Sequence, residues 1–148
     1  MRLLLVVLLL VLTSCATWRP QSLQTIMDDF KHDCAANGVK LKLTDLNEFR
    51  YVSAKEMQDI PTADQWTIGM CIRYGHGIYA DVLILYPVDY GPLDFLVYHE
   101  LAHALLGKDH FVGGLDIMNP IMPSVVSAAE IKRLKQKMFD RFKAEQQD

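Results

Sequence analysis

At 148 residues the chain is long enough for one domain and too short for two comfortable ones. Its formal charge is −3, and it has no basic cluster interleaved with aromatics, which excludes a nucleic-acid surface. The 51% hydrophobic content overstates the core, because the first fourteen residues are almost all apolar and are not expected to join the fold.

Arg2 followed by the apolar run Leu3 to Leu12 makes a charged and then a hydrophobic region, too short to span a bilayer, and reads as a secretory signal. Leu12-Thr13-Ser14-Cys15 resembles the lipobox of bacterial lipoproteins. The resemblance implies that residues 1–14 are removed, that Cys15 is lipidated, and that residues 15–21 form a tether close to the membrane; an ordinary signal peptide cut near Ala16 is the alternative, and either reading exports the domain. Ala16 stands where those lipoproteins carry an Asp for inner-membrane retention, which implies the outer membrane, facing the periplasm. The remainder, 22–148, forms a single domain. With Cys15 consumed, Cys34 and Cys71 are an even pair in an oxidising compartment, so a disulfide is expected, worth about 3 to 4 kcal/mol; two buried free thiols are the alternative.

Leu23, Ile26, Met27, Phe30 and Cys34 recur at helical spacing, predicting an amphipathic helix from near Ser22 to Asn37-Gly38. His32 lies off that stripe and reads as solvated. Val39 to Leu43 alternates as a half-buried strand, and a second strand runs through Phe49 to Val52. Ser53 to Gln65 has no clear period and reads as a loop with a helical turn. Strand character returns from Trp66 to Tyr74. Gly75-His76-Gly77 makes a turn, with His76 a turn residue, and Ile78 to Tyr86 forms another strand.

Gly91-Pro92 opens a helix whose residues from Leu93 to Leu106 are apolar nearly all round, so it is expected to be buried. Polar groups are costly in such a helix unless they are used. His99 and His103, four residues apart, project from one face and can share a metal ion, with Glu100 beside them. This H-E-x-x-H arrangement is the metal site of zinc hydrolases, with the Glu as general base. Gly107 ends the helix. His110 and Asp116-Ile117-Met118-Asn119-Pro120 follow, and Ser127 to Glu130 resembles a capping box before a C-terminal amphipathic helix carrying Ile131, Leu134, Met138 and Phe142.

Together, His99, Glu100, His103, Gly107, His110 and Met118 resemble the metzincin clan of zinc metallopeptidases, over roughly residues 93 to 121. The resemblance implies a minimal α+β fold: a small, mostly antiparallel or mixed sheet with an N-terminal helix, a buried active-site helix and a C-terminal helix. It implies one zinc ion per chain on His99, His103 and His110, with Met118 in a methionine turn beneath it as a packing element. The clan's spacing is HExxHxxGxxH, whereas here Ala104, Leu105 and Leu106 precede Gly107, one residue more. Keeping the glycine-to-histidine spacing makes His110 the third ligand, by a helix one residue longer; Asp109, at the usual distance from His103, is the alternative. An extended substrate adds to an exposed sheet edge in that clan, which points to Ile78 to Leu85.

The expected activity is hydrolysis of peptide bonds in a peptide or protein substrate, by water activated on zinc with Glu100 as general base. The alternatives are a non-catalytic zinc-binding lipoprotein with a structural or partner-binding role, and a zinc hydrolase of a cell-wall amide. Glu100 argues against a structural zinc, which needs no base and usually gains a fourth protein ligand.

Overall fold

The structure is a computed structural model and describes residues 22–42, 44–86, 93–121 and 126–146. The segment expected to be a signal, Cys15, the expected tether and Gly91-Pro92 lie outside the described residues. Among the described residues there are four α-helices and a three-stranded mixed sheet, giving the expected α+β class.

Helix α1, Leu23–Ala36, starts where Ser22 accepts the Thr25 amide at 3.1 Å and stops at Asn37, followed by Gly38 at φ +69°. Its buried stripe is the one read from the sequence: Leu23, Ile26, Met27, Phe30 and Cys34. His32 is exposed. The expected strand from Val39 to Leu43 does not form in the part described, residues 39–42. Its backbone groups are taken elsewhere. The Val39 amide bonds back to the Cys34 carbonyl at 2.9 Å, the Gln146 side chain bonds both backbone groups of Lys40, and the Lys42 amide reaches the Leu105 carbonyl at 2.7 Å. With these groups engaged elsewhere, they are not available to a strand ladder.

Strand β1 is Asp45–Val52, α2 is Ala54–Gln58, β2 is Gly69–Tyr74 and β3 is Tyr79–Leu85. The sheet order is β1-β3-β2, with β1 parallel and β2 antiparallel to the central β3. Strand β2 begins later than its apolar pattern indicates, because Asp64 organises the preceding residues as a turn: its carboxylate accepts the Trp66 amide and the Thr67 hydroxyl, both at 2.9 Å. Between β2 and β3 a single 3₁₀ turn, Gly75–Gly77, places exposed His76 at φ +57° between two left-handed glycines, the turn role expected of it.

Helix α3, Leu93–Leu101, is the centre of the molecule. Every residue from Phe95 to Leu101 is buried, and α1 packs on it with Phe30 edge-on to Tyr98, their ring centroids 5.1 Å apart. A π-helical turn, Ala102–Leu106, continues α3 to Gly107 in the left-handed conformation at φ +63°. Helix α4, Ala128–Glu145, is capped by Ser127, which accepts the Glu130 amide at 3.2 Å; the Glu130 carboxylate turns to Arg133 instead of closing the capping box. Leu134, Met138, Phe139 and Phe142 of α4 join the same core.

The disulfide expected between Cys34 and Cys71 is not formed, and both residues are free thiols. Cys34 lies on α1 and Cys71 on β2, separate elements that each pack against α3, and both side chains belong to the core around it. Burial is the main cause that pushes both thiols up to about 12, leaving them protonated and unreactive.

Candidate metal centre

The buried helix α3 and its π turn carry His99 and His103 on one face, and the loop after Gly107 returns His110 to them. His99 Nε2 lies 3.1 Å from His103 Nε2 and 3.2 Å from His110 Nε2. Nitrogens about 2.0–2.1 Å from one tetrahedral ion lie about 3.3 Å apart, so the spacing suits a shared metal.

Proton positions sharpen this fit. His99 Nδ1–H donates to the Ile117 carbonyl at 2.6 Å, and His103 Nδ1–H donates to the Lys108 carbonyl at 2.5 Å. With Nδ1 protonated in each neutral ring, both Nε2 atoms present lone pairs. The 3.1 Å approach between them is therefore not a hydrogen bond; it places two acceptors face to face, and a cation between them relieves the repulsion. Burial, the largest cause, pushes His99 down to about 4 and lowers His103 as well, which keeps both in the neutral form that ligates metals. Among the described residues, these three histidines are the one group of three or more His, Cys, Asp or Glu side chains close enough together to hold a metal ion.

The π turn answers the spacing problem in the sequence. It takes up the additional residue between His103 and Gly107, with the Gly107 amide bonding to the Ala102 carbonyl, so the chain still leaves through a left-handed Gly107. His110 thereby reaches the cluster. Asp109 does not: its side chain is 93% exposed and lies 3.6 Å from the Arg73 guanidinium.

Glu100 is buried beside the histidines, and burial pushes its carboxyl up to about 8; a cation held by the histidines would act in the opposite direction. Its side chain lines a cleft of about 680 Å³ together with His99, His110, Leu96, Trp66 and Ile121. Trp66 and Ile121 are each 77% exposed, yet each is held two residues after a capping side chain. The Asp64 carboxylate accepts the Trp66 amide and the Asn119 side-chain oxygen accepts the Ile121 amide, both at 2.9 Å. Strand β3, expected to be the open edge beside this cleft, is instead the central strand with both sides paired, and β2 is the edge that packs against α3 and the π turn. The expectation fails because strand character says nothing of sheet order.

Met118 is fully buried in a turn in which the Asn119 amide bonds to the Asp116 carbonyl at 3.2 Å. Three contributors were not singled out from the sequence. Asp116 and Arg141, 2.9 Å apart, left no local signal because 25 positions separate them. Gly69, whose missing side chain leaves room for Glu100, did leave one: an isolated glycine in a strand pattern marks close approach. No family model matches the chain, and no curated protein or solved structure matches it.

Proposed function

We propose that this chain is a zinc-dependent metallopeptidase of metzincin type, exported and tethered by lipid on Cys15 to the outer membrane, facing the periplasm. The carrying observation is the convergence of three imidazole nitrogens, two with their lone pairs fixed inward by carbonyl partners, beside a carboxylate that lines an open cleft. His99, His103 and His110 would hold the ion. Bound there, zinc supplies a Lewis acid that polarises a carbonyl oxygen and makes water more acidic.

The remaining work falls to this chain's own groups. Glu100 takes the proton of the attacking water at its carboxylate and hands it to the departing amine, so that each peptide bond cut consumes one water and leaves one carboxyl and one amino terminus. The outer edge of β2 offers backbone amides and carbonyls to an extended peptide, fixing its direction across the cleft. Nothing in Glu100's position serves a purely structural zinc, which favours catalysis over a binding role.

The test is metal analysis of purified protein, followed by cleavage of a peptide library by wild type and Glu100→Ala. One zinc per chain and wild-type cleavage lost in the variant are expected. A zinc-loaded Glu100→Ala protein as active as wild type would overturn catalysis by this site, and cleavage of purified peptidoglycan in place of peptides would move the substrate to a cell-wall amide.

A further inference from the structure

Asp116 has no exposed surface, yet carries a carboxylate, and a charge is held in such a place only when it is paired and hydrogen-bonded. Its Oδ2 accepts from Arg141 Nη1 of α4 at 2.9 Å, with Lys137 Nζ farther off at 3.7 Å. Its Oδ1 accepts the Met118 amide at 2.9 Å, and its backbone carbonyl accepts the Asn119 amide at 3.2 Å. These contacts fix the turn from Asp116 to Asn119 from both ends, and Ile117 inside that turn gives its carbonyl to His99 Nδ1.

The same turn reaches the third histidine. The Met118 carbonyl accepts the amide of Phe111, the residue after His110, at 2.7 Å, and the Arg141 guanidinium stacks 4.3 Å from the centroid of the Phe111 ring. One arginine on the C-terminal helix thus grips both the turn that orients His99 and the residue that carries His110 into the cluster.

We propose that Asp116 and Arg141 are positioning residues of the metal centre: through the 116–119 turn they hold His99 in its Nδ1–H tautomer and hold His110 at its distance. The proposal rests on the metal-binding part of the reading above and is independent of what is cleaved. A buried ion pair that only stabilised the fold would change folding stability and leave the affinity of the folded chain for metal untouched. A pair that orients ligands changes the affinity itself, because partners of metal-bound histidines typically contribute 10–100-fold.

Zinc affinity, measured by competition with a chromophoric chelator on chains verified as folded by circular dichroism, separates the two. Asp116→Asn and Arg141→Met are expected to bind zinc about 10–100-fold more weakly than wild type. Arg141→Lys, which keeps the charge but not the planar group over Phe111, should fall between. Affinities within about twofold of wild type in the folded variants would overturn the proposal; if Asp116→Asn does not fold, Arg141→Lys alone decides. A wild-type chain that binds no zinc would instead overturn the metal centre.

Discussion

Gly69, the first residue of β2, stands against Glu100: a Cβ at this glycine would lie 2.7 Å from Oε1 of the carboxylate and 2.7 Å from Cδ1 of Leu96. Both atoms are the ends of buried side chains, and at that distance one of them must shift. Gly69→Ala is therefore expected to displace Glu100 while leaving the three histidines in place. Since a misplacement near 1 Å can cost about a hundredfold in rate, peptide cleavage should fall about that much, with zinc affinity unchanged and a stability loss of about 1–3 kcal/mol. Steady-state kinetics beside a zinc titration checks it; equal losses in both would show that the strand, not the carboxylate, had moved.

The third ligand is open to a direct comparison. His110→Ala removes a member of the histidine cluster and should weaken zinc binding by orders of magnitude. Asp109→Ala removes only an exposed partner of Arg73 and should leave affinity within about twofold, as expected of a surface ion pair. The reverse ranking in a chelator competition would assign the site to Asp109.

Both thiols of the domain are free, so denatured, non-reduced chains spanning residues 22–146 should titrate two thiols. In the native state neither should react appreciably with a thiolate-selective reagent at pH 8, because burial pushes both up to about 12. A single covalent Cys34–Cys71 bridge, seen by mass spectrometry of the non-reduced protein, would contradict the structure.

The same thiols set an alkaline limit. Their folded values lie above the ordinary value of 9, so the folded chain keeps protons that the unfolded chain releases as pH rises past 9. Their contribution to stability is fully present below pH 9 and is lost as pH climbs from about 9 toward 12. Urea midpoints should fall between pH 8 and pH 10.5, and fall less steeply in Cys34→Ala; an identical slope in the two proteins would count against the burial argument.

Tyr98 joins the core to a charge: its ring packs on Phe30 and its hydroxyl donates to Asp33 Oδ2 at 2.6 Å. Tyr98→Phe keeps the ring and deletes a hydrogen bond to a charged acceptor, so a destabilisation of about 1.5–3 kcal/mol is expected from urea unfolding. A change below about 0.5 kcal/mol would indicate that water replaces the hydroxyl at no cost.

Much of this chain is local and therefore legible in its residues. The stripe from Leu23 to Cys34, the all-round apolar helix bearing His99 and His103, and the Ser127 cap each depend on neighbours within one or two turns, where periodicity and propensity act. The reading fails where partners are distant. The segment 39–42 alternates like a strand, but its backbone is taken by Leu105 and by the side chain of Gln146. Strand β3 has the composition of any strand, and only pairing on both sides made it central. Two cysteines suggested a bridge, but it was the packing of their elements on α3 that left them apart.

By itself, the sequence determined that two histidines and a glutamate share one buried helix, because i to i+4 spacing is a property of the helix alone. It also supplied both candidates for a third ligand. Tertiary structure decided which of them stands beside His99 and His103: the π turn absorbs the added residue, Gly107 turns the chain back to bring His110 in, and Asp116 pairs with Arg141 next to the Ile117 carbonyl that bonds His99. These are contacts between segments far apart in the chain, and no local pattern encodes which of them will meet.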